Sequence, residues 1–112
     1  MTNPPTSTQQ SLERIAPKFA ELTEEVLFGD IWKRPLLSAR ERSLVTVAAL
    51  ISLYRLEQLP FHLSRALDNG ISHAALAEVA THLAFYAGWP AAVSAISLMG
   101  ELPQPNDDTK PA

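Results

Sequence analysis

Between Gln58 and Ile96 the chain reads QLPFHLSRALDNGISHAALAEVATHLAFYAGWPAAVSAI, and two corners inside this stretch limit what it can fold into. Asn69-Gly70 is a helix stop, because glycine enters the left-handed conformation that ends a helix without a Cβ penalty. Ser72 then offers its hydroxyl to an orphan N–H at the start of the next helix. Gly88 is a second stop, and Pro90 suits a first helical turn, where its missing N–H has no partner to lose. Three short helices joined by tight turns follow, and the apolar spacing agrees. Leu59, His62, Leu63, Ala66 and Leu67 fall at i, i+3, i+4, i+7 and i+8, one face of the first helix. Leu76, Val79, Ala80, Leu83 and Ala87 form the stripe of the second. The third, from Pro90 to about Gly100, has Ala91, Ala92 and Ala95 for close approach and Val93, Ile96 and Met99 for bulk.

Upstream, Ser38-Ala-Arg-Glu41 is a capping box that starts a helix predicted to run to about Leu56. From Leu44 to Leu56 its apolar residues face every direction, interrupted by Thr46, Ser52 and Arg55, and such a helix is surrounded by protein. A chain of 112 residues hides only about two-thirds of its unfolded surface, so one face of that helix is expected to meet another subunit. Between Gln10 and Phe28, Leu12, Ile15, Phe19, Leu22 and Val26 define an amphipathic helix that Pro17 divides. The connector FGDIWKRPLL follows, with Lys33 and Arg34 either a solvated edge or an anion catch. No segment reads as a strand. The expectation is all-α, a compact bundle of about five or six helices over residues 10–102, with loose tails at 1–9 and 103–112.

His62 lies inside an apolar stripe, with Gln58 one turn before it and Arg65 nearly one turn after, so the three share an edge. It is either a core histidine with a backbone partner or a site residue. His82 and Tyr86, paired at i, i+4, carry the same two readings, and Glu78 lies one turn from His82. His73, following a cap in a turn, reads as solvated. Arg40 and Arg42 occupy a first helical turn, where the helix dipole disfavours cations; they are exposed, or one is held by an acid or an anionic ligand. His62, His73 and His82 lack His-x-x-x-His spacing and the three convergent ligands of a catalytic metal, so none is expected. A net charge of −3 without a basic run argues against nucleic acid and anionic membrane. The longest apolar run, Val45 to Leu53, is too short to span a bilayer, and MTNPPTSTQQ has no signal-peptide pattern, so the cytoplasm is the expected location. The absence of cysteine removes disulfides, thiolate metal sites and thiol redox chemistry from this chain.

QLPFHLSRALDNG, then HLAFYAGWPAA, with IWKRPLLSARERSLVTVAAL upstream, resembles the carboxymuconolactone decarboxylase family within the alkylhydroperoxidase D-like superfamily, over roughly residues 26–99. The thiol branch places C-x-x-C one turn before a histidine. His62 matches that histidine, and Arg55 and Gln58 stand at the cysteine positions, which excludes thiol peroxidase activity by that mechanism. The decarboxylase branch resembles E-L-x-x-H here, and Gln58 replaces its acid; Glu57 points about 100° away round the helix. The resemblance implies a cofactor-free lyase acting on a small carboxylated lactone or related acid. In that reading His62 carries the proton, Arg42 or Arg65 holds a substrate carboxylate, Gln58, Tyr86 or His82 faces the developing oxyanion, and Trp89 lines the pocket. It also implies self-association as a trimer, or a hexamer built as a trimer of dimers. Two alternatives stay open, a non-catalytic ligand-binding or structural oligomer and a different lyase or isomerase on an acidic substrate.

Overall fold

The computed structural model describes residues 7–104, so of the tails expected at 1–9 and 103–112 the parts 1–6 and 105–112 lie outside the described residues. Six α-helices and no strand occur among the described residues. They divide into two compact units, one ending at Ser38 and the other beginning at Ala39, where the sequence reading expects one domain.

In the first unit, α1 (Ser7–Ile15) starts three residues before the expected boundary, and Pro17 opens α2 (Pro17–Leu22). Proline divides the two as anticipated, because Ala16 before it adopts φ −136° and ψ 70°. A π-helical segment, Thr23–Phe28, follows, and the Thr23 hydroxyl donates back to the Phe19 carbonyl at 2.9 Å. Gly29 closes that wide turn because a Cβ there would meet the Glu25 carbonyl oxygen at 2.5 Å. A short 3-10 turn, Ile31–Lys33, then stacks Trp32 on Phe28 with ring centroids 6.1 Å apart. Arg34 makes an exposed ion pair with Asp30 at 3.8 Å, while Lys33 is exposed.

The second unit holds α3 (Ala39–Ser52), α4 (Leu59–Asp68), α5 (His73–Leu83) and α6 (Trp89–Met99). Helix α4 packs on α3 and α6, while α5 packs on α6 and α3. Val47 and Ile51 of α3, Leu59 and Leu63 of α4, and Leu76 of α5 are fully or almost fully buried. Each of these contributes about 1.5–3 kcal/mol of burial. Val45 of α3 and Leu53, the residue after its end, stay exposed, on the face anticipated as apolar beyond a monomer's need. Ser43, also buried, accepts a hydrogen bond from Asn69 Nδ2 at 2.9 Å, which ties the start of α3 to the end of α4.

Helix α3 ends four residues before Leu56, and the physical reason is Tyr54. Tyr54 takes φ 59°, so its N–H reaches the Ile51 carbonyl and the Arg55 N–H reaches Leu50, at 3.1 and 2.8 Å. This is a Schellman stop built on tyrosine instead of glycine. Helix α5 likewise stops at Leu83, short of Gly88. The N–H groups of Phe85 and Tyr86 reach back three residues, to His82 and Leu83, and tighten the last turn.

The Asn69-Gly70 corner is as expected. Gly70 has φ 94°, Gly70 and Ile71 donate to Leu67 and Ala66 at 3.1 and 3.0 Å, and Ser72 accepts from the Ala75 N–H at 3.0 Å. A Cβ at Gly70 meets nothing within 4 Å, so Gly70→Ala isolates the backbone cost. We expect it to destabilise the fold by about 1–2 kcal/mol in denaturant melts; an unchanged midpoint would contradict the left-handed stop.

Candidate functional site

Helix α4 begins from Gln58, whose backbone is already helical and whose side chain makes no cap, and Pro60 fills the second helical position. Leu59, Leu63 and Ala66 face the core, which turns His62 and Arg65 onto the edge of the same helix, one turn apart. Both are half-buried, and His62 Nδ1 and Arg65 Nε are buried atoms. The Phe61 ring meets the imidazole edge-on, centroids 5.0 Å apart at 89°.

This setting lowers the His62 pKa from its ordinary 6.5, first through desolvation and then through the Arg65 charge. The resting imidazole is therefore neutral at pH 7. Between its lowered folded value and 6.5 the unfolded chain binds more protons, so stability rises with pH across that window. The contribution is complete above 6.5 and is lost as pH falls through the window. We expect the wild type to lose more stability than His62→Gln between about pH 7.5 and about pH 5.5. Parallel loss in thermal melts of the two proteins would rule this out.

Arg42, in the first turn of α3, is half-buried with a buried Nε, and its carbonyl accepts the Thr46 hydroxyl at 2.8 Å. The neighbouring Ser43–Asn69 bond puts Arg42 at the end of the α3–α4 pair where Arg65 stands. Gln58 is exposed at the entry of α4. His82 and Tyr86 stack with centroids 5.0 Å apart at 28°, both exposed, and Trp89 is exposed at the start of α6.

The seven candidates thus form two groups. One holds Gln58, exposed at the entry of α4, the half-buried His62 and Arg65 farther along that helix, and the half-buried Arg42 in the first turn of α3. His82, Tyr86 and Trp89 lie exposed around the α5–α6 corner, and α5 is not a principal packing neighbour of α4.

Two features escaped the sequence reading. Phe61 contacts His62 although adjacent helical side chains diverge, a contact the QLPFH motif contained without advertising it. Tyr54 crosses to α6, its hydroxyl 3.0 Å from Ser94 Oγ, with no glycine at the α3 stop to signal the turn. His73, expected to be solvated, is half-buried and its Nε2 lies 2.7 Å from the Pro103 carbonyl oxygen. An apolar cavity of about 220 Å³ lies beside it, lined by Leu76, Ile96 and Met99 among others. A larger cavity, about 520 Å³, lies within the first unit among Leu12, Pro17, Glu21 and Phe28. His62 lines neither. Among the described residues no three His, Asp or Glu side chains gather as a metal site, and no helix is long and apolar enough to cross a membrane.

The sequence profile described as the carboxymuconolactone decarboxylase family matches residues 17–101. The 4-carboxymuconolactone decarboxylase of Acinetobacter baylyi is 33% identical over 93 residues, covering 83% of this chain and 69% of that protein. The nitrosuccinic acid decarboxylase of Metarhizium robertsii is 33% identical over 76 residues, 68% of this chain and 53% of that protein. The chain therefore spans about half the length of the second relative.

Proposed function

The chain belongs to the carboxymuconolactone decarboxylase family, and from that premise we propose that it is a cofactor-independent carboxy-lyase for a small carboxylated lactone or related acid. The observation that carries this reading is the pair His62 and Arg65, an imidazole and a guanidinium one turn apart on α4 with buried inner nitrogens. His62 also falls on the histidine position of the family motif.

The reaction needs a cation for the substrate carboxylates, a donor for the charge released when CO₂ departs, and a proton for carbon. In a carboxylated unsaturated lactone that charge spreads onto the ring carbonyl; in a nitro acid it spreads onto the nitro group. The same protein groups serve both sinks. Arg65, with Arg42 at the same end of the helix pair, holds the carboxylate, and His62 exchanges the proton. Gln58 at the entry of α4 donates an amide N–H to the developing oxyanion. The exposed His82–Tyr86 stack and Trp89 close the site when subunits assemble as a trimer or hexamer.

Gln58 also favours a second reading, because it is uncharged where the decarboxylase motif resembles E-L-x-x-H. A ligand-binding or structural oligomer needs no proton carrier there. Release of CO₂ from 4-carboxymuconolactone and from nitrosuccinate, measured on the wild type and on Gln58→Glu, separates the two. We expect turnover in the wild type and an increase in the variant of about tenfold or more, from an added general acid. Saturable binding with no CO₂ release from either protein would favour the non-catalytic reading.

A further inference from the structure

Building on the reading that Arg65 binds a substrate acid, we propose that a carboxylate seated on the Arg65 guanidinium loads His62 with the proton that decarboxylation consumes. Arg65 then couples binding to proton uptake. The reaction balance requires such a proton. When R–COO⁻ loses CO₂, the C–C bond pair passes into the electron sink and returns to carbon as a C–H bond. One proton is consumed for each CO₂ released.

The ionisable groups on α4 and on the elements packed against it are few. Helix α4 packs on α3 and α6, and α6 has no ionisable side chain. Helix α3 offers Arg40, Glu41 and Arg42, all in its first turn. The α3–α4 connector adds Tyr54, Arg55 and Glu57, and α4 itself adds Arg65 and Asp68. Asp68 is the last residue of α4, nearly two turns from His62. These elements carry four arginines, three carboxylates and one phenol, and the imidazolium is disfavoured first by desolvation and then by the arginine one turn away.

A ligand carboxylate on Arg65 reverses that balance. It cancels the nearest positive charge and places a negative one beside the imidazole, which favours its charged form. Linkage makes the effect reciprocal, so an anion that raises proton affinity binds more tightly as protons become available. The proton is thereby taken up at binding and delivered to carbon after CO₂ leaves, returning His62 to its neutral resting form.

Titration calorimetry with succinate tests this directly, since succinate is a dicarboxylate without an electron sink and does not react. Run in two buffers of different ionisation heat between about pH 6 and about pH 8, the wild type should take up a fraction of a proton per succinate bound. Affinity should rise by up to about tenfold per unit fall in pH. His62→Gln should bind succinate with uptake abolished. Arg65→Met should lose about tenfold or more in affinity, and Arg65→Lys should restore both affinity and uptake. Binding with no buffer-dependent heat, or uptake that survives His62→Gln, would overturn the coupling while leaving the carboxy-lyase reading standing. No saturable succinate binding, with no CO₂ released from either decarboxylase substrate, would overturn both.

Discussion

His62→Ala is expected to lower turnover of the carboxylated substrate by about 10²–10⁴-fold, the range removed with a general acid or base. The fold should survive. Leu59, Leu63 and Ala66 supply the buried face of α4, whereas His62 is only half-buried on its edge. Alanine is also a better helix former than histidine. The change additionally removes a desolvated imidazole held beside a guanidinium, an unfavourable arrangement for the protonated ring. Circular dichroism and thermal melts should therefore change little while CO₂ release nearly vanishes. A variant that keeps wild-type turnover would remove His62 from the reaction. A variant that unfolds would make it a packing residue.

What the sequence made legible follows from how local each signal is. Gly70, Ser72 and Pro17 act through their own backbone or a hydrogen bond within four residues, so each could be read directly and each stands where expected. The core face of α4 was equally legible, because Leu59, Leu63 and Ala66 repeat at helical spacing. Tyr54 was not. A non-glycine residue in the left-handed region costs about 1–2 kcal/mol, and nothing in its neighbours announces that the structure imposes it. The bond to Ser94, forty residues away, is a tertiary feature that spacing cannot carry. The candidate site divides in the same way. Spacing alone places Gln58, His62 and Arg65 on one helical edge, whereas their relation to His82, Tyr86 and Trp89 depends on which helices pack together. Periodicity assigns faces to helices and leaves their partners open.

Replacing Phe85 and Trp89 together with serine is expected to turn an assembled protein into monomers. Phe85 and Tyr86 are each 79% exposed and Trp89 is 67% exposed, clustered at the corner between α5 and α6. At about 150–250 Å² per ring, these three side chains leave about 350–550 Å² of aromatic surface open to water. That one corner already matches the largest apolar patch on a typical monomer, about 300–600 Å². Val93 and Ile96 extend it along α6 at helical spacing, 52% and 47% exposed. Covering the rings alone is worth about 9–14 kcal/mol at about 25 cal/mol per Å². Association costs about 4–15 kcal/mol in lost freedom, so the balance rests on the best-buried rings. Removing two of the three should shift it decisively, as loss of an interface hot spot costs about 2–4 kcal/mol per residue. Light scattering at micromolar concentration should report a multimer for the wild type and a single chain for the double variant. A monomeric wild type would contradict the assembly, and an unchanged mass in the variant would put the interface elsewhere. Turnover on the same samples carries the argument to the site. The altered residues lie outside α4, so activity per chain that survives dissociation would mean that one subunit holds every group the reaction needs. Activity that falls with the mass, and falls likewise in a dissociated Phe85→Ser/Val93→Ser variant that keeps Trp89, would mean that the exposed corner completes the site only in the assembly.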